Sequence, residues 1–132
     1  MLVETLETAT SWSNLETVYA AVRGALTEFH VGCHVSHLYP SGASLYFTVL
    51  GAQAPDPVAQ WLAVKDTVTR AIVAAGGTIT HHHAIGRDHA PYLADEVGDM
   101  GIELLRAVKE RCDPAGIMNP GKLVDLVASR LS

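Results

Sequence analysis

Apolar positions along the first half of the chain predict one helix followed by a hairpin. From residue 13 to residue 29 they recur every three or four positions, the spacing of a helix with one buried face. Two apolar runs follow at 31–38 and 43–50, with the turn signal Pro40-Ser41-Gly42 between them. We therefore predict an antiparallel β-hairpin after the first helix.

The rest of the chain is predicted to be mainly helical. One helix begins at Asp56-Pro57 and ends at Gly76-Gly77. The β-branched residues at 78–80 predict a third strand, and further helices are predicted at 92–97 and 101–112. This order predicts an α+β fold, in which a small antiparallel sheet packs against helices.

The end of the chain combines turns with apolar residues. Asp113-Pro114 is predicted to end the last helix, and Asn119-Pro120-Gly121 predicts a further turn. The predicted buried side of that helix consists of Ile102, Leu105, Val108 and Cys112. Residues 114–132 remain apolar despite their turns, which is typical of a tail that docks on another structure.

Composition narrows the class of protein. The chain has 132 residues, enough for one domain, and 48% of them are hydrophobic, enough for a core. Its net charge is −5 and its nine basic residues are scattered, which argues against a nucleic-acid partner. The sequence has neither a transmembrane run nor the pattern of a signal peptide at its start, so we expect a cytoplasmic location with free thiols at Cys33 and Cys112.

The most unusual sequence feature is the triplet His81-His82-His83. In an extended segment, His81 and His83 would face one side and His82 the other. A zinc site is not favoured, because three adjacent histidines do not converge easily on one tetrahedral ion and no Cys or Glu lies at a standard spacing. From the residues alone, the triplet is equally well interpreted as a functional cluster or as a solvated loop.

Two neighbouring groups of polar residues are further candidates. Arg87 and His89 could bind a phosphate or oxyanion, although Arg87 could equally pair with solvent or with Asp88. Before the hairpin turn, His37 and Tyr39 lie near the end of a predicted strand, where Tyr39 could act as a general acid or base. A tyrosine hydroxyl bonded to a backbone carbonyl is the interpretation favoured by the residues alone.

Four stretches of the chain together resemble one family. They lie at residues 3–12, 36–47, 76–89 and 113–123. The sequence resembles the C-terminal part of FAD-linked oxidases of the vanillyl-alcohol-oxidase type, in the alkyldihydroxyacetonephosphate synthase branch. The last stretch is common across the family, whereas the histidine triplet is more specific. The 2-hydroxy-acid dehydrogenase branch typically has Gly-Glu-His-Gly at the triplet instead.

The resemblance implies a domain organisation and an activity. Residues 1–113 would form part of the cap, or substrate, domain with a ferredoxin-like half, and residues 114–132 would return to an FAD-binding domain that is absent here. The implied enzyme exchanges the acyl chain of acyl-dihydroxyacetone phosphate for a fatty alcohol through an adduct at flavin N5, a step of ether lipid synthesis. The flavin carries this chemistry, and this chain alone is expected to be inactive.

The resemblance also implies residue roles. Tyr39 would be the acid or base, and the three histidines of the triplet would line the active site. His83 and Asn119 would lie toward FAD, while the candidates for binding the lipid phosphate are His37, Arg87 and His89. The family usually has glycine where this chain has Ala84.

Alternative functions stay open at this point. One is an FAD-dependent dehydrogenase of a small hydroxy acid. Another is a stand-alone module that binds a small molecule or a metal. The sequence also leaves open a homodimer and peripheral contact with a membrane.

Overall fold

A computed structural model describes residues 1–124 of the chain, which divides into two compact units. The first unit is Met1–His83, and the second begins at Ala84. The fold, an α+β arrangement with a small antiparallel sheet, confirms the predicted class. No helix in the described residues is both long and apolar enough to cross a bilayer.

The first unit contains three strands and two main helices. A 3-10 turn, Trp12–Asn14, leads into the first helix, and the elements in chain order are β1 (Leu2–Ser11), α1 (Leu15–Ala25), β2 (His30–Tyr39), β3 (Gly42–Gly51) and α2 (Pro57–Ala74). The sheet order is β1-β3-β2, and β3 is antiparallel to both neighbours. The first helix, the hairpin and the second helix were therefore predicted correctly, with Asp56 capping α2 through a bond from Ala59 N.

The third strand lies at the start of the chain and not at 78–80, so that prediction was wrong. Thr78 does lie beside β1, because its backbone N–H donates to the Ala9 carbonyl at 3.0 Å. The Thr78 hydroxyl, however, accepts a hydrogen bond from the backbone N–H of Ala9. The backbone carbonyl of Thr78 accepts another from the Thr8 hydroxyl. Side-chain hydrogen bonds thus replace the backbone ladder that would continue a strand.

The core lies between one face of the sheet and the two helices. Its fully buried side chains include Val18, Val22, Phe47, Val49, Val68 and Ile72. Lys65 of α2 is also buried, and its ammonium donates to Glu4 at 3.1 Å. Because Glu4 and Lys65 compensate each other's charge, the core face of β1 tolerates a glutamate.

The opposite face of the sheet carries polar side chains. Glu7 of β1, Tyr46 of β3 and His34 of β2 are paired across the strands and so lie in one row on this face. Ser44 lies on the same face, two residues from Tyr46. The candidate chemistry of the first unit is concentrated here.

The second unit contains a 3-10 turn, Ala90–Tyr92, and the helix α3, Leu93–Cys112. Gly98 interrupts α3 with φ 71°, so it consists of two helical stretches, as the pattern predicted. The prediction of its buried side was wrong for Val108, which is 62% exposed, and for Cys112, which is also exposed, whereas Ile102 and Leu105 are half-buried. The apolar side of α3 is thus largely uncovered in the part of the chain that the structure describes.

Replacing Gly42 by alanine should destabilise the first unit. An added Cβ would lie 2.0 Å from the Thr10 carbonyl oxygen of β1, so the strands would have to separate. We expect a loss of about 1–3 kcal/mol or more in the free energy of unfolding, measured by urea denaturation. Gly24→Ala in α1 is the matched control, because nothing lies within 4 Å of its added Cβ and it should gain up to about 1 kcal/mol. Equal effects of the two changes would contradict this close packing.

Candidate functional site

A bulge in β2 brings two consecutive side chains to the polar face. The pairing of β2 with β3 shifts register between Val35 and Leu38. In a regular strand, Ser36 and His37 would point to opposite faces. Here the Ser36 hydroxyl donates to Glu7 Oε1 at 2.6 Å, and His37 Nδ1 lies 3.6 Å from the same oxygen. The bulge therefore directs both side chains toward Glu7.

Glu7 is the centre of a cluster of imidazoles. Its side chain is only 4% exposed, and its Oε2 lies 3.6 Å from both His82 Nδ1 and His83 Nε2. With His37, three imidazoles thus surround one buried carboxylate. Glu7 was not among the residues predicted from the sequence, because β1 itself was not predicted.

The histidine triplet is folded over and not extended. His82 has φ 60° and the following Ala84 has φ 63°, both in the left-handed region. The rings of His82 and His83 consequently face the same carboxylate, whereas His81 turns to Tyr39. The predicted alternation of the three side chains is therefore wrong.

Tyr39 and His81 form a hydrogen-bonded pair at the end of the sheet. The Tyr39 hydroxyl lies 2.9 Å from His81 Nε2, and the two rings meet edge to face. The Tyr39 hydroxyl thus contacts an imidazole. The interpretation from the residues alone, a bond to a backbone carbonyl, was wrong. The pair lines an open cleft of about 430 Å³, whose other lining residues are Ala9, Thr10, Ser11, Ser41, Gly42 and Thr78.

Two pKa values in this cluster are shifted. Burial raises the pKa of Glu7, but hydrogen bonds from Ser36 and Ser44 and the charges of His82 and His83 outweigh it, so the pKa falls below 4.5. Burial lowers the pKa of His81 below 6.5; His82 adds to this effect, and Glu7 opposes it. Near neutral pH, Glu7 is therefore ionised and His81 is neutral.

The serines of the cluster do not form a hydrolytic triad. A triad needs a histidine that contacts the serine through one ring nitrogen and the carboxylate through the other. His37 Nδ1 alone faces Ser36 at 3.3 Å, Ser44 at 3.5 Å and Glu7 at 3.6 Å. The same nitrogen cannot serve both functions, so this geometry does not support acyl transfer from serine.

Arg87 and His89, the other predicted site residues, belong to the second unit. His89 is buried, and its Nδ1 lies 3.1 Å from the Ala84 carbonyl oxygen. Arg87 is exposed and lies against Gly121, where an added Cβ would be 3.3 Å from its Nη2. His89 therefore contacts the backbone of its own loop, and the roles of both residues toward a substrate stay predictions.

Asp113 organises the turn that carries Asn119. Its carboxylate accepts bonds from the backbone N–H groups of Ile117 and Met118, at 3.1 and 2.9 Å, and from the Lys109 ammonium. The bond from Lys109 is the main cause that holds the pKa of Asp113 below 3.8. Asn119 follows with φ 50°, and its side chain is exposed. The turn predicted at this position is confirmed.

Comparison with known proteins identifies the family. The family model described as FAD linked oxidases, C-terminal domain, matches residues 1–123, so the chain belongs to this family. Among curated relatives, an alkyldihydroxyacetonephosphate synthase of Trypanosoma brucei brucei is 38% identical over 71% of this chain. One of Dictyostelium discoideum is 30% identical over 96% of the chain.

A solved structure supports the same grouping. A structure described as alkyldihydroxyacetonephosphate synthase matches 89% of this chain with 27% identity and a TM-score of 0.59. The chain spans only 16% and 22% of the length of the two curated relatives, and 20% of the solved chain. The resemblance of the sequence and the α+β fold are thus confirmed.

The bonds to Asp113 predict a pH dependence. Because folding lowers its pKa, Asp113 stabilises the second unit above its unfolded pKa of about 3.9, and this stability is lost as the pH falls through the folded value. Asp113→Asn should therefore lower the melting temperature at pH 7, and the difference from the wild type should shrink toward pH 3. Thermal unfolding across this range measures both effects. Asp99→Asn, at an exposed position, is the control; a difference for Asp113→Asn that does not change with pH would contradict the prediction.

Glycine at position 84 should make the protein more stable than the alanine present, because the backbone there is left-handed. This left-handed backbone costs an alanine about 1–2 kcal/mol, and the greater unfolded freedom of glycine offsets only part of this. Ala84→Gly should thus raise the free energy of unfolding by up to about 1 kcal/mol in urea denaturation. Ala63→Gly, exposed in α2, should lower it by about 1 kcal/mol. Similar losses in both variants would refute the assignment of strain to Ala84.

Proposed function

We propose that this chain is the substrate-facing part of an FAD-dependent enzyme similar to alkyldihydroxyacetonephosphate synthase, with Tyr39 as its acid or base. The carrying observation is the 2.9 Å contact between the Tyr39 hydroxyl and His81 Nε2 at the edge of a cleft. The named relatives favour this enzyme class over other flavoenzymes. The reaction proposed is exchange of the acyl chain of acyl-dihydroxyacetone phosphate for a fatty alcohol.

The Tyr39–His81 pair suits proton transfer. A phenol has a pKa of about 10, so it needs a partner to act near neutral pH. His81 is kept neutral and can accept the hydroxyl hydrogen of Tyr39. The phenolic oxygen then presents a lone pair to the cleft, where it can accept a substrate proton while its own proton moves to His81.

Residues of this chain can contact FAD, but they do not form a complete FAD-binding site. Asn119 has an exposed polar side chain and that of His83 is partly exposed, so both can hydrogen-bond a flavin ring. The sequence contains no G-x-G-x-x-G motif for a dinucleotide. We infer that a separate flavin-binding domain holds most of the cofactor, and FAD, when bound, supplies the electron-accepting ring.

The polar face offers donors for the phosphate of the substrate. His37 is exposed on this face, next to the cleft at Tyr39, and its ring stacks with that of Tyr39 at a centroid distance of 6.4 Å. An imidazole can donate to a phosphate oxygen. We propose that His37 contacts the phosphate and that the cleft accepts the reacting part of the lipid.

Tyr39→Phe should strongly reduce turnover in the protein that includes the flavin-binding domain. Loss of positioned proton transfer should lower turnover of acyl-dihydroxyacetone phosphate with hexadecanol by about 10²- to 10⁴-fold, with flavin content nearly unchanged. Tyr19→Phe is the matched control, because Tyr19 lies on α1 and stacks on Phe47, away from the cleft. A loss under threefold would remove Tyr39 from the mechanism. Oxidation of a 2-hydroxy acid without alkyl exchange would instead indicate a dehydrogenase.

A further inference from the structure

Glu7 is a buried carboxylate whose ion-pair partners among the described residues are all histidines. Its side chain is 4% exposed, and within residues 1–124 its ion-pair partners are three imidazoles and no Lys or Arg. Buried charges in proteins are normally paired or coordinate a metal ion. A buried carboxylate surrounded by imidazole nitrogens therefore provides the donor groups that a metal cation needs.

The distances in the cluster also differ from those of hydrogen bonds. Glu7 lies 3.6 Å from the nearest nitrogen of each imidazole, beyond the usual range of an N–H···O bond. Ligand atoms about 2.0–2.1 Å from a tetrahedral zinc ion lie about 3.3–3.4 Å from one another. The donor atoms of Glu7, His37 and His82 all lie within 4.8 Å of one another, so small side-chain rotations would close them around an ion.

We propose that Glu7, His37 and His82 bind a zinc ion. The three ligands come from β1, from the bulge of β2 and from the segment after α2, which explains why no zinc motif is visible in the sequence. Two imidazoles and one carboxylate form a ligand set that leaves a fourth position for water or a substrate oxygen. His83 Nε2 also faces the Glu7 carboxylate, at 3.6 Å from Oε2.

Groups around the ligands are already arranged to hold them. Ser36 donates to Glu7 Oε1 at 2.6 Å and lies 2.6 Å from the buried Ser44 hydroxyl, which accepts from His37 N. Such outer contacts orient the ligands of metal sites. The left-handed backbone of His82, which turns its ring toward Glu7, is a local strain of the kind found at functional sites.

Zinc titration of the 132-residue chain by calorimetry tests this site. The chain is made without a polyhistidine tag, stripped with EDTA and titrated with zinc chloride alone. We expect one zinc ion per chain with a dissociation constant at or below about 1 μM, and proton release that depends on pH. Glu7→Gln and His82→Gln should each weaken binding by at least about 100-fold, since loss of an outer contact alone costs about 10- to 100-fold.

The controls separate a built site from surface histidines. His30→Gln, at the exposed start of β2, should bind zinc as the wild type does. Ser36→Ala keeps all three ligands and should weaken binding by about 10- to 100-fold. Circular dichroism establishes that each variant is folded. If Glu7→Gln does not fold, the zinc affinities of His82→Gln and Ser36→Ala test the site instead.

Two results would overturn the proposal. One is wild-type binding that stays weak and unsaturated at millimolar zinc. The other is equal affinity in the wild type and in folded His82→Gln. Because the titration contains neither flavin nor lipid, its outcome is independent of the role proposed for Tyr39.

Discussion

A single buried carboxylate organises the polar face of the first unit. Glu7 lies in the middle of a strand, and everything around it is arranged toward its two oxygens. Ser36 fixes one oxygen, and the bulge of β2 exists where this contact is made. The other oxygen faces His82 and His83, so these two rings lie over Glu7. The His81 ring points instead to Tyr39. The Tyr39–His81 pair thus depends on a carboxylate that does not contact it.

Much of the fold could be predicted from local pattern. The two helices of the first unit and the hairpin follow from apolar spacing, a proline start and a turn signal, all of which act within a few residues. β1 was missed because Glu4 and Glu7 obscure its alternation. Glu4 pairs with Lys65 and Glu7 accepts a hydrogen bond from Ser36, and both partners lie far away in the sequence.

The candidate site was predicted by residue type but not by geometry. Tyr39 and the triplet stood out because phenols and imidazoles carry chemistry, and the family resemblance supplied their roles. The left-handed backbone at His82 could not be predicted, since nothing in its local sequence marks a turn of that kind. The partnership of Glu7 with the triplet depends on the register of the sheet, which local patterns do not specify.

The two faces of the sheet are subject to different evolutionary constraints. Substitutions among the helix-facing residues change packing, and so are limited by folding. Substitutions on the polar face alter charges and hydrogen bonds without changing the side chains that pack against the helices. A lineage could therefore exchange histidines, serines or acids there one at a time and acquire new substrates without redesigning its scaffold.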